Sequence, residues 1–569
     1  MKRHRLILLS LLLAIGCCVM AAPLKNMEVR LTQPDGQEIH CFASGDEFYN
    51  YLHDADGFTI VTDQGGYYVY ATYDTKGNVV PSNYKVGAVK PAEVGLQPYV
   101  KISTQEYYAR RYEFEKHIKQ PAAPKDREIN HGVYNNLVVF IRFAGDTYHS
   151  TPFSVADSMF NASNYGSVSL HNYYHHASYN QLDLWSYFYP EPDGETILSY
   201  EDINPKQYYQ PYHAVNNPIG YHEEDRAERE FSLLERAIEY VEDMVSDEID
   251  FDYNDDGLVD NVVFVVKGET GEWNSLLWPH RWSIWDRYVG LGNLQVFDFN
   301  FQLEVGGYFT VGTLCHEMSH SLSAPDLYHY SSGIDPVGAW DLMDGTTNPP
   351  QQLGAYMKYK YGHWVDDIPD ITYQPGIYEI ESVGWEGNRR NAYKIRTSNP
   401  NQFYVVEYRD NTQLFDNQLP GGGLLVYRID TRYSGGAGYN GVDVFDEVYL
   451  FRPGGDIYNA GNVNQANFCQ EVSRTQFDYT TDPKPFLTNG TPDEVFRICD
   501  ISAKGDRMTF AYRPYSQGDL SEHGPKNLLV NVNRDAHQVE LSWDPKEYAD
   551  GYNVYRDGVS IGSVEDRHR

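Results

Sequence analysis

The chain has 569 residues, with 45 lysines and arginines against 80 aspartates and glutamates, and a formal net charge of -35. A chain of this length is too long to fold around a single hydrophobic core, so several domains are expected. The acidic balance argues against nucleic acid and anionic membrane surfaces as partners and favours a soluble extracellular protein.

The first 22 residues have the pattern of a secretory signal peptide. Basic residues at 2–5 precede an apolar run at 6–20, and Ala21 and Ala22 supply the small residues of a cleavage site. The apolar run is short for a membrane span, and no later segment of the sequence is apolar enough to cross a bilayer. We therefore predict a secreted or cell-surface protein without an integral membrane segment.

Residues 23–105 are predicted to form a small β-rich unit. Short apolar and aromatic strands, such as 39–42, 58–61 and 67–70, are separated by turns rich in Asp and Gly. A compact β-rich unit directly after a signal peptide lies where secreted proteins carry a pro-domain, and we expect this unit to be one. Residues 106–135 are predicted as a linker, in which the segment 121–127 is exposed to activating cleavage.

Several features of a pro-domain could hold the domains that follow it in an inactive state. The thiolate of Cys41 could cap a catalytic metal, although a small buried hydrophobe is the favoured interpretation of this residue. An aspartate of the pro-domain, or its bulk alone, could also block the cleft.

Residues 136–365 are predicted to form the catalytic domain. The runs 137–141 and 261–266 predict buried strands, and apolar residues recur every three or four positions through 224–247, which predicts a helix. The order strand, helix, strand indicates an α/β arrangement here, within an α+β multidomain protein.

The segment 252–260 matches the first nine positions of a calcium-binding loop. Gly257 occupies the sixth position, where such loops turn sharply, but Val263 replaces the glutamate of the twelfth. A structural calcium site is therefore predicted, the alternative being a turn without an ion. Its proposed ligands are the side chains of Asp252, Asn254, Asp256 and Asp260 and the carbonyl oxygen of Leu258.

The strongest chemical signal is the sequence His-Glu-Met-Ser-His at 316–320. On a helix His316 and His320 lie on one face, where two imidazoles can bind one zinc ion, and Glu317 beside them can act as general base. Pro325 ends the helix, and Asp326 can then supply a third ligand from the returning chain.

Residues around this motif have further predicted roles. Met343 is expected to form a hydrophobic floor under the metal. His280 and Tyr328 are candidates for stabilising an oxyanion, although a structural role is favoured for each. Trp278 and Trp282 either line the cleft or lie in the core.

The pattern changes in residues 366–515 to short alternating strands with Gly and Pro turns, which predicts a β-sandwich. Within it Cys469 and Cys499 could pair, which the sequence leaves open. Residues 525–569 resemble part of a fibronectin type III module, on the pattern of Trp543 and 552–555, but end before such a domain would be complete.

The motif segments together resemble the immune inhibitor A family of secreted bacterial metallopeptidases, which is metzincin-like. The similarity rests on 315–328 and 340–343, with further matching segments at 178–182, 278–282 and 419–425. The resemblance implies His316, His320 and Asp326 as zinc ligands, Glu317 as base and Met343 as the residue of the methionine turn. One residue departs from the family pattern: Ser323 stands where the family has a glycine, at a position that favours a left-handed backbone.

These observations predict a secreted zinc endopeptidase, made as a zymogen, that hydrolyses extracellular or host proteins. In the expected mechanism zinc activates a water molecule and Glu317 carries its proton to the leaving amine. The alternative is a catalytically inactive protease-like protein that binds surfaces or glycans through its β-domains. A zinc amidase or carbohydrate esterase is a weaker third hypothesis.

Overall fold

The computed structural model describes residues 24–46, 48–117, 130–268, 276–304, 309–329, 335–385, 390–436, 446–494, 496–514, 526–533, 538–544, 551–556 and 559–565. The predicted signal peptide and the segment 121–127 lie outside these residues. The described chain is multidomain, with mixed α and β structure and several separate sheets.

The N-terminal unit is an antiparallel sheet whose strands follow one another in sequence order. Its strands are β1 (Leu24–Thr32), β2 (Glu38–Gly45), β3 (Asn50–His53), β4 (Thr59–Thr62), β5 (Tyr68–Tyr73) and β6 (Val79–Lys85). Three of the turns are closed by an aspartate side chain that accepts the N–H groups two and four residues later, at Asp54, Asp63 and Asp74. One face of the sheet holds its own small core, which includes Cys41.

Helix α1 (Thr104–Glu115) occupies the first part of the segment predicted as a linker, and strand β7 already begins at Gly132. The helix forms because Ser103 caps it, accepting the N–H of Glu106 at 3.1 Å. Tyr107 anchors it, being 4 % exposed, in a core shared with the unit that follows.

The central unit follows α1 and is built on a mixed sheet. The strands of this sheet are β7 (Gly132–Arg142), β8 (Leu182–Phe188), β9 (Tyr200–Glu201), β11 (Val262–Val266), β12 (His280–Ser283) and β15 (Asp298–Leu303). They lie in the order β12-β15-β11-β7-β8, with β9 also beside β7, and run parallel except β12, which lies antiparallel to β15 at one edge. The unit also contains a separate three-stranded sheet of β10 (Leu258–Val259), β13 (Gly290–Leu291) and β14 (Leu294–Val296), in the order β10-β14-β13. Its helices are α2 (Phe153–Asn161), α3 (Leu170–Ala177), α4 (Arg226–Val241), α5 (Val311–Ser321) and α6 (Ala355–Lys360).

A row of buried amide side chains crosses this sheet. Asn300 donates to Asn261 at 2.8 Å, and Asn261 donates to Asn136 at 2.7 Å. Ser321 at the end of α5 donates to Asn261 at 3.1 Å, so the row also fixes α5 to the sheet. Buried polar groups of this kind specify one packing because each must find its partner.

The following region contains two antiparallel sheets packed face to face, in the orders β16-β22-β21 and β17-β18-β19-β20. Tyr404 and Phe510, from different sheets, belong to one core. The opposite face of the second sheet, including Val405 and Leu425, joins the core around α5. The strands are β16 (Gly376–Glu381), β17 (Ala392–Arg396), β18 (Gln402–Arg409), β19 (Gly423–Asp430), β20 (Val448–Leu450), β21 (Phe496–Cys499) and β22 (Arg507–Pro514).

The last described residues form two hairpins, which contain the two strands predicted near Trp543 and Tyr552. Their strands are β23 (Lys526–Asn533), β24 (Gln538–Asp544), β25 (Gly551–Arg556) and β26 (Val559–Glu565). Among the residues described, no helix combines the length and apolar character needed to cross a membrane.

The four cysteines of the described chain are all free and buried. Cys469 and Cys499 are therefore not paired with each other, and Cys315 is the buried core thiol that its position predicts. Burial raises the pKa of the Cys41 thiol to about 12, which keeps it neutral and agrees with a residue of the strand core.

Lys358 on α6 gives the fold a pH dependence. Its side chain is fully buried, and burial lowers the pKa of its ammonium group to about 7. An unfolded lysine titrates near pH 10.4, so between these values the unfolded chain binds more protons and stability rises with pH. Relative to Lys358→Met, we expect the wild-type free energy of unfolding to rise by about 1.4 kcal/mol per pH unit from pH 7.5 to 9. If the free energy of unfolding changed equally with pH in the two proteins over this range, the lowered pKa of Lys358 would be contradicted.

Candidate metal centre

The centre is built on helix α5, and residues near the start of this helix fix where it begins and how closely it packs. Thr310 caps the helix by accepting the N–H of Thr313 at 3.1 Å. Gly312 allows a close approach, because a Cβ there would lie 2.2 Å from the carbonyl oxygen of Thr347. The rings of His316 and His320 then project from one face, with their centres 4.8 Å apart.

The C-terminus of α5 turns the chain back through a left-handed residue. Ser323 has φ 77°, its N–H donates to His320 O, and the N–H of Ala324 donates to Ser319 O, both at 2.9 Å. This pair of bonds is a Schellman motif, in which the left-handed position is usually glycine. The departure seen at Ser323 in the sequence therefore leaves the turn intact.

We expect Ser323→Gly to raise the free energy of unfolding, because Ser323 bears a strain of about 1 kcal/mol in this conformation. Ser323→Ala keeps the left-handed strain and is the matched control, with little change expected. Chemical denaturation of the three proteins measures the effect, and a Ser323→Gly protein less stable than the alanine variant would contradict it.

Asp326 meets both histidines after this turn. Its Oδ1 atom lies 3.1 Å from His316 Nε2 and 3.3 Å from His320 Nε2. The structure thus brings together the three residues that the spacing predicts as ligands, and they form a group able to hold a metal ion. His316 is fully buried and the side chain of His320 is 17 % exposed, so solvent reaches the group from the His320 side.

Backbone carbonyls orient both imidazoles. His316 Nδ1 donates to Leu342 O at 3.0 Å, and His320 Nδ1 donates to Ala324 O at 2.8 Å. Because a carbonyl only accepts, each Nδ1 carries a hydrogen, and each Nε2, which lies on the side of Asp326, is the ring atom available to a metal. This is the orientation that metal-binding histidines adopt.

Met343 belongs to the segment that holds the site together. It is fully buried, and its carbonyl oxygen accepts the N–H of Leu327, next to Asp326, at 2.8 Å. The preceding residue, Leu342, orients His316. The predicted methionine turn therefore contacts both the helix and the returning chain.

A second segment that supports the site was not predicted from the sequence. Gly436 donates its N–H to Asp326 O at 2.9 Å, and a Cβ there would lie 1.9 Å from Leu327 O. Gly435 is held in turn by the fully buried carboxylate of Glu447 at 2.8 Å. The two adjacent glycines at 435–436 are visible in the sequence, but their partner, Asp326, lies more than a hundred residues earlier in the chain.

The charges of the site favour a cation. Burial acts to raise the pKa of Asp326, but the two imidazoles outweigh it and hold that pKa well below its usual range. Burial lowers the pKa of His316, but Asp326 outweighs it and raises that pKa to about 9. Without a metal the site thus retains a proton, which a divalent ion would replace.

Glu317 lies beside the ligands and is 2 % exposed. Burial raises the pKa of its carboxyl group, against the opposing effect of the two imidazoles. A carboxylate with a raised pKa is a stronger base, as proton abstraction from water requires.

The donor set fits zinc. Two imidazoles and one carboxylate are a known catalytic ligand set that leaves a fourth position open. His316 Nε2 is buried and lies 3.1 Å from Asp326 Oδ1, so both proposed ligand atoms face the same point.

The other residues considered near the site are structural. Both ring nitrogens of His280 are engaged, with Trp278 O at 2.6 Å and Glu230 Oε1 at 2.7 Å. Trp278 is 1 % exposed and lies in the core, whereas Trp282, which is 5 % exposed and belongs to the same core, also lines a cavity with Phe48. Tyr328 is likewise buried.

The predicted calcium loop turns sharply between α4 and β11, but its carboxylates do not converge. Asp252 accepts the N–H groups of Asp256 and Gly257, both at 2.9 Å, and Asp260 accepts that of Tyr253 at 2.7 Å. Within the described chain these three aspartates do not form a group able to hold a metal. Burial, with the charges of neighbouring aspartates, raises the pKa of Asp260 to about 8, so a cation would relieve real repulsion.

Calcium binding therefore stays a prediction for Asp252, Asn254, Asp256, Leu258 and Asp260. We expect 1 mM Ca²⁺ to raise the free energy of unfolding by about 2.7 kcal/mol if its dissociation constant is one hundredth of that concentration. Asp256→Asn should remove most of this gain, while Asp74→Asn, in a turn of the N-terminal sheet, should keep it. Chemical denaturation in calcium and in EGTA measures the effect. Equal denaturation curves under the two conditions would show that the loop is a turn without an ion.

A second group of possible metal ligands lies on α3 and the adjacent strand β8. It was not predicted from the sequence. His171, His175 and Asp183 bring one donor atom each within 4.8 Å of the others. His175 Nδ1 already pairs with Asp183 Oδ1 at 2.8 Å, and their side chains are 39 % and 44 % exposed. These two side chains are hydrogen-bonded to each other at the surface, and the group provides a control for the main site.

The sequence matches no protein-family model, and no curated protein matches it significantly. The function is therefore inferred from the arrangement of His316, Glu317, His320 and Asp326.

Proposed function

We propose that the protein is a secreted zinc-dependent endopeptidase, made as a zymogen and related to the metzincin-like immune inhibitor A family. The observation that carries the proposal is the convergence of His316, His320 and Asp326, whose donor atoms lie within 4.8 Å of one another, with Glu317 buried beside them. A calcium ion in the loop 252–260 is part of the proposal.

The residues of the site divide the reaction between them. When bound, zinc supplies a Lewis acid that polarises a water molecule and the carbonyl group of the peptide. Glu317 takes a proton from the water as it attacks and passes that proton to the leaving amine. Leu342 and Ala324 hold the two imidazoles in place throughout, because their carbonyl oxygens fix the ring orientation.

Packing of the N-terminal unit supports the zymogen part of the proposal. Phe48 from this unit and Trp282 from the edge strand β12 line one cavity and share one core. Strand β12 lies against α5. A peptide substrate that added to this edge would compete with the N-terminal unit.

The proposed partners are polypeptide substrates, with possible surface or glycan contacts through the C-terminal β-structure and no nucleic acid, because the net charge is -35. The alternative function, a catalytically inactive binding protein, would keep the fold without turnover. The intact set of three ligands and a base favours the enzyme.

Casein digestion by the chain cleaved within 121–127 tests the proposal. We expect digestion that 1,10-phenanthroline abolishes and that added zinc restores, and no turnover of small amide or ester substrates alone. Digestion that persists in the chelator would remove zinc chemistry, and a zinc-loaded protein without turnover would favour the binding protein.

A further inference from the structure

The donor group on α3 and β8 lies outside the proposed catalytic site. His171 and His175 are four residues apart on α3, and Asp183 is the second residue of β8. One donor atom of each residue lies within 4.8 Å of the other two. Two imidazoles from one face of a helix, with a carboxylate from the neighbouring strand, are a set of donors that suits zinc.

His171 is held in the way that metal-binding histidines are held. It is 5 % exposed, and its Nδ1 atom donates to Leu184 O at 3.0 Å. Because Nδ1 carries the hydrogen, Nε2 is the ring atom available to a metal. The ring of Trp185 packs on the imidazole with the ring centres 4.0 Å apart, so the orientation of His171 is fixed from two sides.

His175 and Asp183 form the open side of the group. His175 Nδ1 donates to Asp183 Oδ1 at 2.8 Å, and a surface pair of this kind adds little stability by itself. A zinc ion would replace the hydrogen between these two atoms. Two ligand atoms of a tetrahedral zinc are about 3.3–3.5 Å apart, so the pair would open by only about 0.5 Å. The exposure of both side chains leaves a fourth position to water.

The turn between α3 and β8 shows what an ion here would do. Tyr179 and Asn180 in this turn have φ values of 58° and 63°, a left-handed conformation that is unfavourable for residues with a side chain. His175 precedes the turn and Asp183 follows it. A metal bound by both would therefore hold the turn closed.

Helix α3 and this turn contact two other parts of the fold. Tyr179 Oη donates to Val383 O at 2.8 Å, in the region of the two packed sheets. Tyr174 Oη donates to Cys315 O of α5 at 2.6 Å, next to the first proposed ligand of the main centre. Fixing α3 to β8 would stabilise both contacts.

We propose that His171, His175 and Asp183 bind a second zinc ion, which clamps α3 to β8 across this turn and stabilises the fold. The site is separate from the centre on α5 and does not depend on the proposed peptidase function. Because one position is left to water, the ion binds more weakly than at a structural site with four protein ligands, with a dissociation constant of about 1 µM.

Zinc titration of the full, uncleaved chain tests the site. The Glu317→Ala background prevents self-digestion, and excess calcium throughout occupies any site built from oxygen ligands alone. We expect calorimetry to show one zinc equivalent of about micromolar affinity besides the tight one. His171→Ala and Asp183→Asn should each weaken this equivalent at least about tenfold. His40→Ala, which changes an exposed histidine of the N-terminal sheet, should leave it unchanged.

Chemical denaturation supplies a second arm. When free zinc is raised to about 100 times the dissociation constant of the weaker site, the equilibrium constant for unfolding should fall about 100-fold more in the background protein than in His175→Ala. The contribution of the α5 centre cancels in this comparison, because both proteins retain it. Denaturation without the additional zinc shows whether each variant folds, and Asp183→Asn, which keeps the size of the side chain, guards against misfolding of the alanine variants.

The outcomes separate this proposal from the proposed function. A second equivalent that is unchanged in His171→Ala and Asp183→Asn, or that binds more weakly than about 100 µM, would overturn the site on α3. Loss of the tight equivalent alone in Asp326→Ala would support two separate sites. A protein that binds only the weaker equivalent would overturn the peptidase and leave the site on α3 standing.

Discussion

Replacing Glu317 by glutamine should lower kcat for peptide hydrolysis by roughly 10²- to 10⁴-fold, the usual contribution of a general base. This corresponds to about 3–5 kcal/mol of transition-state stabilisation. The amide has nearly the same size and cannot take the proton from water. Glu317 is buried beside the ligands without being one of them, so the variant should bind zinc as the wild type does.

Steady-state kinetics of the cleaved protein, with zinc content measured on the same samples, checks this result. Glu239→Gln, an exposed glutamate on α4, is the matched control and should retain full activity. A Glu317→Gln protein with wild-type kcat would show that the base is another group. Loss of zinc in this variant would instead give Glu317 a structural role at the centre.

Replacing Asp326 by alanine should weaken zinc binding at least about 100-fold, because removing a ligand costs no less than removing its supporting hydrogen bonds. The two histidines would lose the carboxylate that now lies within 3.3 Å of both. Peptide hydrolysis should fall with the zinc content.

Competition with a zinc chelator of known affinity measures the change in binding. Asp183→Ala, the aspartate of the second donor group, is the control and should leave both tight zinc binding and hydrolysis unchanged. If Asp183→Ala removed the tight zinc and Asp326→Ala did not, the metal would belong to α3 rather than to α5.

The local parts of the centre were open to prediction because short-range rules govern them. The spacing of His316 and His320 fixes a shared helix face, and the position of Ser323 anticipates a left-handed turn, which the structure has. Strands such as β7 and β11 were predicted from apolar runs, and the structure contains both.

The remaining features depend on contacts between distant parts of the chain. The carbonyl of Leu342 that orients His316, and the Gly436 N–H that holds Asp326, are set by tertiary packing. The same holds for the docking of Phe48 of the N-terminal unit in the core that contains Tyr107 and Trp282. The calcium loop stays a prediction: the spacing of its oxygens matches a motif, and in the structure Asp252 and Asp260 accept N–H groups of the loop backbone.

The most direct test of the central claim is an anomalous difference map at the zinc edge from crystals of the cleaved protein. The account predicts one strong peak on α5, about 2.0–2.2 Å from His316 Nε2, His320 Nε2 and an Asp326 carboxylate oxygen. A protein that binds no zinc, or a peak confined to His171 and His175 on α3, would contradict it.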